Sequence, residues 1–143
     1  MELFVADHPL ISHKVTLLRD KNTSSSQFRQ LVEELVTLLT FEATKTLATE
    51  EVEVETPLTL TKGVRLASPA PLIIPILRAG LGMLSGITKL LPDADVGFLG
   101  IKRNERTLQP ETYANRLPND LTGRHVILID PMLATGGTIN DSL

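Results

Sequence analysis

Residues 126–138 read VILIDPMLATGGT, an apolar run that ends in a carboxylate, Asp130, and passes into a loop of small and hydroxyl side chains. Pro131 disfavours helical dihedrals at Asp130, so the acid is expected to stay extended as the last residue of a strand. A carboxylate there accepts hydrogen bonds from neighbouring hydroxyls, and the adjacent hydroxyls of a ribose match it well because an ionised acceptor strengthens each bond. After Pro131, Met132 and Leu133 come Ala134, Thr135, Gly136, Gly137 and Thr138. Small residues let the backbone approach a ligand, and glycine permits dihedrals that turn successive N–H groups inward. A helix beginning near Thr138 would add its unpaired amides and positive end. With the hydroxyls of Thr135 and Thr138, the loop forms a nest for a phosphate monoester. The competing reading is a turn with a polar tip, in which Asp130 substitutes for a helix cap. The order of apolar run, acid, small-residue loop and helix start favours the ligand loop.

Two basic stretches could meet the other end of such a ligand. Arg78 follows the apolar run LIIPIL (72–77) and precedes Ala79 and Gly80. Its guanidinium can fork onto a diphosphate, with Gly80 letting the backbone come close; a salt-bridged arginine at a strand end is the alternative. IKRNERTLQPETY (101–113) supplies Lys102, Arg103 and Arg106 in a polar stretch before Pro110. A mobile basic loop of this kind could close over an anionic ligand and exclude water. Arg106 alone reads as solvated.

Other chemistries fit poorly. No GK[ST] follows the glycines, so there is no Walker A loop. In GMLSG (82–86) the serine is off-centre between the glycines, unlike a nucleophile elbow. Gly80-x-Gly82 resembles part of a dinucleotide fingerprint, but the third glycine, Gly86, comes one position late. His8, His13 and His125 lack metal-ligand spacing and read as structural. The chain has no cysteine, hence no disulfide, thiol nucleophile or thiolate metal site.

The elements that must position these residues follow from periodicity. In 27–48, Phe28, Leu31, Val32, Leu35, Leu38 and Leu39 recur at helical spacing, and Ser24 with Gln27 forms a capping box at the start. EEVEVE (50–55) alternates as a strand with one exposed face, and its acids read as a solvated face rather than a cation site. PLIIPIL (71–77), DVGFLGI (95–101) and HVILID (125–130) are apolar on both faces, with a helical stretch after the first that ends near Leu91, before Pro92. Such runs predict a parallel sheet covered on both sides. Ligands in these sheets sit at the carboxyl ends of the strands, which here carry Arg78, Lys102–Arg103 and Asp130.

Composition sets the frame. The 143 residues suffice for a single domain with a real core. Fourteen Lys+Arg against 17 Asp+Glu give a formal charge of −3, which disfavours nucleic acid as a partner. The most apolar region, 71–91, is interrupted by Arg78 and Lys89 and does not read as a membrane span. The start of the chain does not resemble a secretory signal, and a cytoplasmic location is expected.

Four stretches together resemble the uracil phosphoribosyltransferases of the type I phosphoribosyltransferase family. HPLISHKVTLLRD with FRQLVEELVTLLTFEAT is similar to the family's N-terminal segment, PILRAGLGM to its diphosphate loop, GIKRNERTLQPETYANRLP to its basic flexible loop and IDPMLATGGT to its phosphoribosyl diphosphate loop. Proline stands at 131 where many relatives carry a second acid. The resemblance implies an α/β fold: a phosphoribosyltransferase-type parallel sheet flanked by helices, preceded by a helical segment and a β-arm. It implies transfer of a phosphoribosyl group from phosphoribosyl diphosphate to uracil, giving UMP and diphosphate, as in pyrimidine salvage. Magnesium would be bound through the phosphoribosyl diphosphate. Arg78, Arg103 and residues Asp130, Pro131, Met132, Leu133, Ala134, Thr135, Gly136, Gly137 and Thr138 would bind that substrate, Asp130 also acting in catalysis.

The same resemblance implies a homo-dimer or larger homo-oligomer. Some relatives respond to a nucleotide such as GTP, of which these residues carry no signature. Relatives continue through further strands that hold the uracil contacts, so residues 1–143 are expected to be a single, incomplete domain with an unpaired last strand. A non-catalytic sensor of phosphoribosyl diphosphate or of a nucleotide is the alternative function.

Overall fold

The computed structural model describes residues 3–103 and 110–132, with the side chains of Arg103 and Pro110 excepted. Its centre is β3 (Leu72–Leu77), where Leu72, Ile73, Ile74, Pro75 and Ile76 are all buried. β7 (Val126–Ile129) lies parallel to β3 on one side, in the register Leu72↔Val126 to Pro75↔Ile129. On the other side lie β4 (Asp95–Val96) and β5 (Phe98–Arg103), also parallel. β6 (Pro110–Arg116) closes that edge antiparallel to β5. Among the described residues β7 pairs only with β3.

A proline inside a central strand removes a ladder donor, and the sheet accommodates it. Leu72 N–H bonds the His125 carbonyl toward β7, whereas the Ile73 carbonyl accepts from Gly97 N–H on the opposite side. Backbone groups alternate sides along a strand, so the nitrogen of Pro75 faces β4 and β5. There the partner strand is interrupted: β4 pairs at Leu72 and Ile73, and β5 resumes at Ile76 and Leu77.

The two faces of the sheet bury different clusters. Ile73 and Ile129 pack with Val36, Ile87 and Leu91 beneath the helices. Leu72, Ile74 and Leu99 pack on the other face, against Leu117 and Leu121 from the segment between β6 and β7. Helix α2 (Ser25–Ala43) starts at the expected capping box, with Ser24 Oγ accepting from Gln27 N–H and Gln27 Oε1 accepting from Ser24 N–H. It ends at Ala43 rather than 48, through turns that deliver Leu47 to the core. Its buried residues are Leu31, Leu35, Val36 and Thr40, while Phe28 and Leu39 of the expected stripe are exposed. The stripe is shifted because α2 packs on two sides, against α1 and against the helical segment after β3.

Besides α2, three elements differ from the sequence expectation. Helix α1 (Pro9–Arg19) was not marked by periodicity; its cap is His8, whose Nδ1 accepts from Leu10 N–H, with proline at the first helical turn. The stretch after β3 is not one helix to Leu91 but a 3₁₀ segment, Ala79–Met83, followed by the short α3 (Leu84–Thr88). Gly86 lets α3 lie directly on α2: a Cβ there would stand 2.6 Å from the Glu33 carbonyl oxygen. Thr37 Oγ1 donates to the Gly86 carbonyl at 3.1 Å, and Lys89 pairs with Glu33 across the same seam. The polar stretch PETYANR, read as loop, is strand β6.

The expected strand at 50–55 is β1 (Thr49–Glu55), which forms a two-stranded arm with β2 (Leu60–Leu66). Its acids are solvated as expected, Glu50 pairing with Arg65 and Glu51 with Lys62. Exposure extends to both faces of the arm: Leu60 and Val64, on the face of Glu51 and Glu55, are exposed, and so is Val54 on the other.

One ion pair fastens α1 to α2. Lys14 Nζ donates to Glu34 Oε2, and Gln30 Nε2 donates to Glu34 Oε1 at 2.9 Å. These donors, Lys14 first and Gln30 second, hold the Glu34 carboxyl below its ordinary range. The pair is partly exposed, so Glu34→Gln is expected to cost less than about 1 kcal/mol at pH 7. A depressed carboxyl contributes stability above its unfolded pKa of about 4.3 and loses it as pH falls through the folded value. The gap in urea midpoint between wild type and Glu34→Gln should therefore be present at pH 7 and narrow toward pH 3. A gap that widens on acidification would refute the assignment.

Candidate functional site

The site is set by where three parallel strands stop. Ile129 ends β7, and Asp130 follows it immediately, half-buried. The register Pro75↔Ile129 sets Asp130 level with Ile76, two residues before Arg78 on the neighbouring strand. On β3's other flank Leu77 pairs with Gly100, and β5 runs on to Lys102 and Arg103. Arg78, Lys102–Arg103 and Asp130 thus share one end of the sheet, as the sequence implied.

Each residue is held differently. Arg78 leaves the sheet exposed, after a cis Leu77–Arg78 peptide, and among the described residues no carboxylate pairs with it. Lys102 sits opposite Glu111 and reaches its carboxylate at 3.5 Å. Asp130 Oδ1 accepts from Met132 N–H at 3.2 Å, an Asx-type turn that aligns the backbone just past the strand. Pro131 and Met132 are exposed. Leu133, Ala134, Thr135, Gly136, Gly137 and Thr138 lie outside the described residues, as does Arg106, and nothing of the Arg103 side chain is described.

Gly80 departs from its expected use. Rather than opening the backbone to a ligand, it is buried, with Ile129 and Pro75 backbone against it. Sequence reading gave no signal for this contact between the segments after β3 and before Asp130.

The surroundings are uneven. An apolar groove of about 190 Å³ lies beside Asp130, lined by Val36, Leu39, Met83, Ile87 and Ile129 among others. Two larger clefts, about 480 and 300 Å³, open at the opposite end of the sheet, before the strands begin. Arg124 at that end is already engaged: it donates to the Ala70 carbonyl and to Asp95. Among the described residues no cluster of three or more acids and histidines could hold a metal ion. No helix among them is long and apolar enough to cross a membrane.

Comparison with known proteins identifies the family. The profile described as Uracil phosphoribosyltransferase matches residues 5–143. The chain belongs to the uracil phosphoribosyltransferase family. It is 62% identical over 143 residues to the uracil phosphoribosyltransferase of Renibacterium salmoninarum, covering all of this chain and 68% of that one. To the enzyme of the same name from Kineococcus radiotolerans it is 63% identical over 139 residues, covering 97% of this chain and 66% of the relative. The solved structure of the AQ2163 protein from Aquifex aeolicus superposes with a TM-score of 0.88 at 45% identity, over 96% of this chain and 65% of that one. The chain therefore spans about two thirds of the length of these uracil phosphoribosyltransferases and of the Aquifex protein.

The Asx turn yields a direct test. Asp130→Ala removes the acceptor of the Met132 amide, and a hydrogen bond worth about 1 kcal/mol corresponds to roughly fivefold faster amide exchange there. Asp130→Asn retains an acceptor oxygen and should leave that rate near wild type. Identical exchange in all three chains would mean the turn is not formed in solution.

Proposed function

We propose that this chain carries the phosphoribosyl diphosphate site of a cytoplasmic uracil phosphoribosyltransferase. The observation that supports it is the placing of an exposed guanidinium, Arg78, and a carboxylate, Asp130, at the ends of adjacent parallel strands. A ligand with a diphosphate on one carbon of a ribose has these two charges' complements a few ångströms apart. Arg78 and Arg103 bind the diphosphate, Asp130 accepts from the ribose hydroxyls, and residues 131–138 hold the 5′-phosphate.

In the reaction, the bond from ribose C1′ to the diphosphate oxygen breaks and its electron pair leaves with the diphosphate. Uracil N1 supplies the pair for the new bond to C1′, and its proton is released. Arg78 and Arg103 stabilise the departing negative charge, and the Asp130 carboxylate favours the positive charge that develops on the sugar. Positioning and electrostatics supply most of the catalysis, with no strong side-chain base assigned. The carboxylates described at this end are Asp130 and Glu111, the latter already paired with Lys102, so the residues suit a magnesium ion carried on the substrate's own oxygens rather than a protein cage. Bound there, the ion would supply Lewis-acid stabilisation of the leaving diphosphate. We also propose self-association into a dimer or larger homo-oligomer, the exposed apolar side chains of the β1–β2 arm favouring it.

Titration of phosphoribosyl diphosphate with magnesium into the 143-residue chain tests the site. Asp130→Asn should weaken binding by about 1–3 kcal/mol through lost charge-assisted bonds. Arg78→Ala should weaken inorganic diphosphate more than ribose 5-phosphate. Unchanged affinity in Asp130→Asn, or equal losses in Arg78→Ala, would remove that residue from the site. UMP formation from labelled uracil separates the transferase from a sensor: binding without turnover, in this chain and in a longer one, would favour the sensor.

A further inference from the structure

We infer that Gly80 is a positioning residue: it fixes the separation between the Arg78 end of β3 and the Asp130 end of β7. Past Leu77 the chain emerges at Arg78 and folds back through the 3₁₀ segment Ala79–Met83, closed by Leu81 N–H donating to the Arg78 carbonyl at 3.2 Å. This fold-back sets buried Gly80 against both strands. A Cβ at residue 80 would lie 2.3 Å from the Ile129 carbonyl oxygen and 3.2 Å from Pro75 Cα. Both are backbone atoms of paired strands and cannot rotate aside.

The requirement is for space. Gly80 has no positive φ; among the described residues only Gly123 has one. Two positions on, a Cβ at Gly82 would meet nothing within 4 Å, so the constraint belongs to residue 80 and not to the turn. A methyl group at 80 needs about 1 Å of relief to reach ordinary contact with the carbonyl. The Ile129 carbonyl belongs to the peptide unit that leads into Asp130, so moving it carries Asp130 along. Lifting the turn instead carries Arg78. Either relaxation lengthens the gap between the two charged ends, and misplacement on the order of 1 Å can cost about a hundredfold in a positioned reaction.

The functional readout rests on the phosphoribosyl diphosphate reading above. A ligand gripped at both ends senses the gap, whereas each half of it does not. Phosphoribosyl diphosphate, ribose 5-phosphate and inorganic diphosphate would each be titrated calorimetrically, with magnesium, into wild type, Gly80→Ala and Gly86→Ala. Gly86→Ala is the comparison for damage without respacing, since its Cβ clashes with the Glu33 carbonyl in the α2–α3 seam.

The expected result is a loss of about tenfold or more for phosphoribosyl diphosphate in Gly80→Ala, with less than about threefold for either half-ligand. Gly86→Ala should melt at lower temperature yet keep the wild-type ratio of the three affinities. Equal losses for all three ligands in Gly80→Ala would overturn the inference, as would the same selective loss in Gly86→Ala. A Gly80→Ala chain that does not fold would overturn it too, because residue 80 would then serve the fold and not the spacing. If wild type binds none of the three ligands, the proposed function fails while the spacing remains testable. A crystal structure of Gly80→Ala then decides it: a gap between Cα of residues 78 and 130 wider by about 1 Å supports the inference, and an unchanged gap refutes it.

Discussion

The buried strand β3 is the constraint from which the rest of the molecule follows. A strand covered on both faces must be apolar on both, and one flanked on both sides must satisfy its backbone groups in two ladders at once. LIIPIL meets the first demand outright. It meets the second in all but one place, the donor that Pro75 lacks, and the β4–β5 strand is interrupted opposite that place. Register is then specified by packing, since slipping either neighbour by one residue would exchange its side chains between the two different clusters. Fixed register means that the strands stop at fixed relative heights, and the charges that follow their last residues inherit that alignment.

That logic explains which elements were legible in the sequence. β3 and β7 are short apolar runs without alternation, and the arm strand β1 alternates, so periodicity located all three. The start of α2 carries both halves of a capping box, Ser24 and Gln27, and was legible to the residue. α1 was not, because a histidine caps it, where serine, threonine, asparagine or aspartate is the usual signal. β6 opens on a proline and is mostly polar; it is a strand because β5 offers it a ladder, a tertiary cause that its own composition does not show. After β3, Gly80, Gly82 and Gly86 weaken any long helix, and the chain resolves into a 3₁₀ turn and a short helix instead.

The candidate site divides in the same way. Asp130 and Arg78 could be placed at strand ends because each directly follows an apolar run, and the structure brings them to neighbouring strands. The role of Gly80 could not be found so: a glycine after a strand reads as room for a ligand. Only the pairing of β3 with β7, which brings residues 75 and 129 side by side, shows that the room is filled by the protein's own backbone.

The two sources of positive charge are mounted on parts of unequal stiffness. Arg78 follows the best-buried strand of the sheet and sits above a turn that is wedged, through Gly80, against β7. Lys102 and Arg103 ride on β5 where it pairs with the edge strand β6, past a register shift between Gly100 and Ile101. The ion pair of Lys102 with Glu111 has both side chains about half-exposed, and surface pairs of this kind contribute at most about 1 kcal/mol. An exposed guanidinium whose backbone is anchored by the core has a fixed origin from which to reach an anion. Lys102, on an edge pair of strands and held by a bond that water can replace, keeps freedom to adjust to an anion. Stiffness is thus graded across one end of the sheet, using no element beyond those that β3 already organises.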